Sequence, residues 1–388
     1  MTAEGSGTPH PLSGSAVPPW ATEAQVAAAT DALMATIDPK RYVGTKHHIV
    51  PMFILKRFAN DREQMRVRYR DRRGHHVCNI KDLAVTDFYT FIDKAGELDS
   101  SYEQLWGVIE QGGSAVLRDH LDNPFVKPHP FTLHDKQAVD ALVALQSLRG
   151  PAMRRTGELI ADYGIKLLNQ DKMSADELMT LEFAPHQNDH LQILAGLVEK
   201  VEQHLSTRGA FLVTLDRPLL VICDEPVHLE RPDTYVPPTR AQLRDYPRDI
   251  LVDGNPVPPE NLIQFHNPRG VGLNQADAIA MPVSPRHAIF YDKPGTAGPM
   301  HHLKIDGSDA DHFAQELLQM CLEQAVVWIA GHPDHPKIAN LRLPKPPPPI
   351  VIIDGDSPFA RDARTSSRRA PRRLNKKARP EPKEPTPS

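Results

Sequence analysis

Residues 46–60 read Lys-His-His-Ile-Val-Pro-Met-Phe-Ile-Leu-Lys-Arg-Phe-Ala-Asn. Two adjacent histidines precede a β-branched Ile-Val pair, and a proline separates that pair from an apolar run ending in Lys-Arg-Phe. Composition alone does not produce such a block, and we expect it to open the ordered part of the chain. On a strand, His47 and His48 would point to opposite faces, so the two imidazoles are not expected to bind the same ion.

Composition suits a globular domain with polar extensions. Of 388 residues, 24% are charged and 40% are hydrophobic, which is typical of a soluble protein. We expect a disordered or short helical extension at 1–40, a globular domain at 41–335, and a proline-rich linker with a basic tail at 336–388. No signal peptide or apolar membrane span is recognisable, so the sequence predicts a cytoplasmic protein without a membrane partner.

Periodicity and turn signals divide the domain into helices and short strands. Residues 64–69 and 75–80 flank a glycine-containing turn and predict a hairpin. Thr132 and Asp135 predict a capping box at the start of a helix that Gly150-Pro151 ends. Further helices are expected at 22–37, 101–121, 157–169, 174–181, 190–205 and 308–329, the last of them capped by Asp311. Paired strands are expected at 211–215 with 219–223 and at 278–283 with 288–291. One added strand is expected at 350–353. The predicted class is α+β, a helix-rich single domain with small antiparallel sheets and disordered N- and C-terminal tails.

The three cysteines, Cys78, Cys223 and Cys321, are widely spaced and none belongs to a Cys-x-x-Cys pair. This usage indicates a reducing compartment without a disulfide framework. For the same reason, the spacing argues against a structural zinc site built on cysteine.

Charge is distributed unevenly along the chain. The segment from Arg361 to Ser388 contains ten Lys or Arg and three acidic residues, so it carries +7 while the rest of the chain carries −11. The basic residues from Arg361 to Lys383 would contact nucleic acid through its phosphates, without choice of sequence. A solubilising tail, or one that binds the acidic body of another copy, is the alternative; the oligomeric state is not readable from the sequence.

Five blocks occur in the order typical of one family. They are His48-Ile49-Val50-Pro51 with Leu55 and Phe58-Ala59; Asn79-Ile80 with Asp87-Phe88-Tyr89, Glu103 and Glu110; residues 146–154, Gln-Ser-Leu-Arg-Gly-Pro-Ala-Met-Arg; Cys223-Asp224-Glu225-Pro226; and Pro282-Val283-Ser284-Pro285. Together they resemble a family of uncharacterised bacterial proteins, the domain of unknown function 4238, across residues 45–330. The resemblance implies no reaction. It also shows two departures, because the family more often has Asn at the position of Glu225 and Thr at that of Gly150.

His48 is the first candidate for chemistry, since a histidine serves as base, acid or metal ligand near neutral pH. The alternative is a packed histidine that donates to a backbone carbonyl. A His-Asn-His nuclease motif fits poorly, because the next histidine after Asn60 is His75, across the predicted hairpin. His47 is a candidate binding residue.

Arg149 ends the apolar stripe of the helix predicted at 132–149. A buried guanidinium must find a carboxylate, water or an anion, although a last-turn arginine also satisfies helix carbonyls. Gln146 lies one turn earlier and Arg154 follows the Gly-Pro break, so the three predict an anion-binding edge.

Three carboxylates are candidate metal ligands or catalytic groups. Glu103 and Glu110 are seven residues apart and share one helix face, where they would hold Mg²⁺ or Mn²⁺; a solvated face is the alternative. Asp224 ends an apolar strand and suits either a metal or Arg149, and it equally suits a turn before proline.

Two hypotheses follow from these residues. In the first, the protein is a metal-dependent hydrolase of phosphodiesters, with His48, Arg149 and Asp224 catalytic. In the second, the same polar residues form a buried structural network in a noncatalytic binding or regulatory module.

Overall fold

The computed structural model describes residues 47–86, 91–92, 98–99, 101–122, 129–183, 187–233, 251–252, 255–256, 264–266, 271–345, 350–353 and 359. The helix predicted at 22–37, the N-terminal tail that was expected to be disordered and the basic C-terminal tail therefore lie outside the described residues. No helix in the described part is long and apolar enough to cross a membrane.

Helices form the larger part of the described fold. They are α1 (Met52–Phe58), α2 (Ser101–Leu117), α3 (Leu133–Leu148), α4 (Pro151–Asn169), α5 (Ala175–Thr180), α6 (Gln187–Ser206) and α7 (Gly307–Gln324). The predicted capping box at Thr132 and Asp135 is present, and Gly150-Pro151 separates α3 from α4 as expected. A π-helical turn, Arg118–Asp122, extends α2, and short 3₁₀ turns lie at Ile80–Asp82 and Ile338–Asn340.

The strands are short, and most belong to two sheets. They are β1 (His47–His48), β2 (Gln64–Tyr69), β3 (His76–Asn79), β4 (Val85–Thr86), β5 (Phe91–Ile92), β6 (Leu98–Asp99), β7 (Arg208–Leu215), β8 (Ile222–Cys223), β9 (His228–Leu229), β10 (Leu251–Val252), β11 (Asn255–Pro256), β12 (Gln264–His266), β13 (Ile279–Ser284), β14 (His287–Pro294), β15 (His301–Ile305), β16 (Trp328–Gly331) and β17 (Val351–Ile353).

The five-stranded sheet has the order β15-β7-β14-β13-β9, and the four-stranded sheet has the order β3-β2-β16-β8. All pairs in them are antiparallel except β15 with β7, which is parallel. The hairpins predicted near residue 70 and near residue 285 are confirmed as β2–β3 and β13–β14. The predicted α+β class is confirmed.

One predicted strand pair is wrong. The strands β7 and β8 were expected to pair with each other, but β7 pairs with β14 and β15, and β8 pairs with β16. They lie in different sheets because the chain leaves the first sheet after Leu215, where Leu219 and Leu220 bond instead to the Pro285 carbonyl.

The predicted last helix is too long, because α7 ends at Gln324 and residues Trp328–Gly331 form strand β16. Residues distant in sequence hydrogen-bond to the backbone groups at the positions where the helix would have continued. Arg70 donates to the carbonyls of Ala325 and Val326, and Asp224 accepts from the amides of Val326 and Val327. The predicted cap is also wrong: the N-cap is Asp306, and Asp311 pairs with Arg217.

The apolar core runs continuously from the helices into both sheets. Helix α3 is central to it, with Val139, Leu142, Val143, Ala144 and Leu145 fully buried. Helix α2 approaches α3 closely at Gly113, where a β-carbon would lie 2.6 Å from a methyl group of Leu142. Glycine permits this approach because it has no side chain.

A buried polar network joins α3, α6 and β14. Lys136 Nζ lies 2.6 Å from Asp140 Oδ2 and 3.2 Å from the Leu205 carbonyl, and the Tyr291 hydroxyl donates to Asp140 Oδ1 at 2.8 Å.

Glu202 of α6 has a raised pKa beside this network. Burial, followed by the negative charge of Asp140, raises the pKa of Glu202 from 4.5 to about 7. The charged form of Glu202 is therefore destabilising.

This shift predicts a pH-dependent effect of Glu202→Gln on stability. The unfolded chain releases the Glu202 proton near pH 4.5 and the folded chain near pH 7, so the wild type loses stability as pH rises between these values. We expect the variant to melt at a higher temperature than the wild type at pH 8, and the difference to vanish near pH 4.5. Thermal melts across this range would measure it, with surface Asp171→Asn as the control; a difference independent of pH would contradict the assignment.

Candidate functional site

Arg149 follows the last residue of α3 and is almost fully buried. Its guanidinium forms an ion pair with Glu110 of α2 and donates to the His48 carbonyl at 2.9 Å. With its amide oxygen turned toward Arg149, Gln146 accepts from the guanidinium at 3.0 Å and donates to the Ile49 carbonyl at 3.2 Å. We call these five residues the Arg149 clasp. It fastens the His-His-Ile-Val block to the middle of α2 and to the C-terminal end of α3.

The two histidines of β1 differ in burial, in line with their predicted opposite faces. His47 is buried and His48 is half-buried. Burial lowers the pKa of His48, against opposing hydrogen bonds to the backbone of Ile80 and Lys81, so its imidazole is neutral at pH 7. Within the described residues, Nε2 of His48 is buried without a hydrogen-bond partner. A neutral imidazole is the form that a general base or metal ligand requires.

Asp224 uses both carboxylate oxygens to hold the backbone after α7. They accept from the Val326 amide at 3.0 Å and the Val327 amide at 2.6 Å. Burial raises the pKa of Asp224 to about 6, although these amides oppose the shift. Both amides lie more than 100 residues away in sequence, so these contacts join distant segments and are not the local turn that the sequence offered as an alternative.

A pocket of about 280 Å³ lies beside the clasp. Its lining includes two arginines, Arg149 and Arg154, and two aromatic rings, Tyr69 and Trp328. Other lining residues are Ile49, Asp82, Ala84, Val85, Pro151, Asp224 and Val327. We call this the arginine pocket. Of the site residues predicted from the sequence, the arginine pocket is lined by Arg149, Arg154 and Asp224. The other contacts of the clasp, from Gln146, Glu110 and the His48 carbonyl, are made to Arg149.

Of the two predicted metal ligands, only Glu110 has a described side chain, and it is not among the residues that line the arginine pocket. Glu110 is engaged by Arg149, so a cation there would compete with a guanidinium. The side chain of Glu103 lies outside the described residues, although its helix, α2, is described.

A second buried group was missed by the reasoning from sequence. Cys223, His228 and Cys321 are fully buried, and one ligand atom from each lies within 4.8 Å of the others. Cys321 Sγ lies 3.0 Å from His228 Nε2. The only local signal is the five-residue separation of Cys223 and His228, because Cys321 comes from α7, 93 residues after His228.

The order of the sequence blocks agrees with a comparison to known families. The model of a family described as "Protein of unknown function (DUF4238)" matches residues 46–335. The chain belongs to this family. The match contains both buried groups and confirms the resemblance inferred from the blocks. Neither the curated proteins nor the solved structures gave a match to the chain.

The two positions at which the resemblance implied a departure from the family pattern, Gly150 and Glu225, lie against each other. Gly150 is the N-cap of α4 and has no side chain with which to cap it. Glu225 Oε1 accepts instead from the Ala152 amide at 2.6 Å. A β-carbon on Gly150 would lie 2.0 Å from Glu225 Oε2. The absent side chain at 150 thus makes room for the carboxylate that replaces the cap.

This contact predicts strong coupling between positions 150 and 225. Gly150→Thr alone should displace Glu225 from the Ala152 amide, and Glu225→Asn alone should leave α4 poorly capped; losing a cap costs about 1 kcal/mol. The double variant should recover stability, because threonine then caps the helix and the smaller side chain leaves it space. Urea unfolding of the four proteins measures the coupling; additive single effects would contradict it.

The clasp predicts that Arg149→Ala costs about 3 kcal/mol of unfolding free energy, because it strands Glu110 in a largely buried position. Arg155→Ala is the matched control. Arg155 pairs with Glu158 and Glu182 on a partly exposed surface, where such pairs are worth less than about 1 kcal/mol. Chemical unfolding of both variants decides the matter; equal losses would show that the clasp is not a main source of stability.

Proposed function

We propose that the DUF4238 domain is a noncatalytic binding module whose arginine pocket takes a nucleotide, free or at the end of a strand. The observation that carries the proposal is the lining of the pocket, in which two guanidinium groups lie with two aromatic rings. Guanidinium groups bind phosphate oxygens, and aromatic rings stack on nucleobases.

The clasp supports a binding role because it holds Arg149 in place before any ligand arrives. Its partners fix the guanidinium on α3, and Arg154 Nε is similarly paired with Glu158 at 3.2 Å. Pocket size favours a small ligand, because about 280 Å³ is just below the range of roughly 300–1,000 Å³ that is typical of small-molecule sites. The pocket also contains Asp82, whose carboxylate oxygens would accept from the amino groups of a nucleobase rather than bind phosphate.

The neutral imidazole of His48 favours a second candidate, the metal-dependent phosphodiester hydrolase with Mg²⁺ or Mn²⁺. It has less support, because Glu110 and Asp224 already bind a guanidinium and two amides. The His48 carbonyl, rather than its ring, contacts Arg149. Nucleic-acid binding by the basic residues from Arg361 to Lys383 and a cytoplasmic location remain predictions.

Calorimetric titration of the full chain with AMP, GMP, CMP and UMP tests the proposal, with adenosine and inorganic phosphate as the two fragments. We expect monophosphates to bind more tightly than either fragment, and Arg154→Ala to weaken binding about tenfold or more, since a charge-assisted hydrogen bond contributes about 1.5–3 kcal/mol. Arg155→Ala, the neighbouring partly exposed arginine, should leave binding unchanged.

Three outcomes would overturn this proposal. Absence of binding, or equal binding by Arg154→Ala, would remove the arginine pocket as a nucleotide site. Cleavage of labelled RNA or DNA with Mg²⁺ or Mn²⁺ that is lost in His48→Ala would instead establish the hydrolase.

A further inference from the structure

We infer that Cys223, His228 and Cys321 form a zinc site that fastens the two sheets and helix α7 together. The three residues come from three different elements, β8 of the four-stranded sheet, β9 of the five-stranded sheet, and the last turn of α7. We call the group the Cys2His cluster.

Ligand type and distance both fit zinc. Two thiolates and an imidazole are soft or borderline donors that Zn²⁺ prefers over Mg²⁺ or Ca²⁺. The three donor atoms lie within 4.8 Å of one another, and tetrahedral zinc places such atoms about 3.6–3.8 Å apart. The 3.0 Å separation of Cys321 Sγ and His228 Nε2 would widen by roughly half an ångström on binding.

The hydrogen-bond partner of the other ring nitrogen of His228, Nδ1, also fits a zinc site. Gln324, three residues after Cys321, lies with its side-chain amide 3.2 Å from His228 Nδ1. When Nε2 binds a metal, Nδ1 carries the proton and needs an acceptor. The amide of Gln324 supplies its oxygen in one orientation. In the opposite orientation, its nitrogen donates to Nδ1 and to the Val227 carbonyl, and its oxygen accepts from the Leu229 amide. Rotation of one amide thus satisfies both states.

Zinc binds cysteine as thiolate and histidine as neutral imidazole, so any proton that these groups hold without metal is released to solvent on binding.

Two other uses of these residues are less consistent with the geometry. A catalytic Cys321–His228 pair would need an accessible sulfur, and Cys321 is fully buried. A Cys223–Cys321 disulfide would leave the nearby imidazole without a role. Three protein ligands leave a fourth position; the Glu225 carbonyl, 3.0 Å from Cys223 Sγ, is one polar group beside the cluster.

Metal analysis of the full chain, purified without chelator from cells grown with added zinc, is the first test. We expect about one zinc per chain by mass spectrometry of the metal content, lost in Cys223→Ser and Cys321→Ser. Cys78→Ser is the matched control and should retain the metal. Cys78 lies on β3 and Cys223 on β8, at opposite edges of one sheet and about 14 Å apart by strand spacing.

A measurement on the wild type keeps the test decisive if the serine variants fail to fold. Removal of metal by a chelator should lower the melting temperature, and added Zn²⁺ should restore it. Co²⁺ should produce the thiolate charge-transfer and visible bands of a tetrahedral cysteine site. A folded, metal-free chain that neither Zn²⁺ nor Co²⁺ affects would overturn the inference. So would an intact Cys223–Cys321 disulfide, or rapid alkylation of Cys321 in the native chain. Arg154→Ala should retain zinc, which separates this test from that of nucleotide binding.

Discussion

The buried guanidinium of Arg149 is the constraint on which the first part of the fold depends. Its carboxylate partner lies on α2, and its carbonyl partner lies on β1. A guanidinium has five donors and cannot lose its charge inside a protein, so every buried arginine fixes the acceptors around it. Here those acceptors bring the His-His-Ile-Val block against the middle of α2 and the C-terminal end of α3. The arginine pocket is bounded by the same contacts.

The short segment from Cys223 to His228 connects the two candidate sites. Its ends belong to the Cys2His cluster, while Asp224 lines the arginine pocket and Glu225 caps α4. Within six residues the backbone passes from one sheet to the other. Such a segment has few alternative conformations, since four of its side chains bind distant elements. The positions of the pocket wall and of the cluster are therefore linked through one piece of backbone.

Local signals predicted much of the fold. The capping box of Thr132, the Gly150-Pro151 break and the β2–β3 hairpin depend on neighbouring residues and are confirmed. The end of α7 was not predictable in this way. Nothing in Ala325-Val326-Val327 stops a helix by propensity, and the stop comes from Arg70 and Asp224, more than 100 residues away.

The candidate site was likewise predictable where its signals are local and not where they depend on residues distant in sequence. Sequence blocks indicated Arg149, Gln146, Arg154 and Asp224, which the fold brings to one region, but they did not reveal which carboxylate pairs with Arg149. The Cys2His cluster escaped because its third member comes from another element. Cysteine spacing reports zinc sites formed by local loops, and it has no information on a thiol delivered by a distant helix.

The two buried groups also differ in when they can form during synthesis. Every member of the Arg149 clasp lies between residues 48 and 149, so the clasp can close while more than half of the chain is still to be made. Cys321 lies near the end of the family match, and the group that it completes must wait for nearly the whole domain to leave the ribosome. A contact cannot form before both of its residues have been synthesised and have left the ribosome. Fastening of the two sheets is consequently a late event, made on a chain whose first helices are already in place.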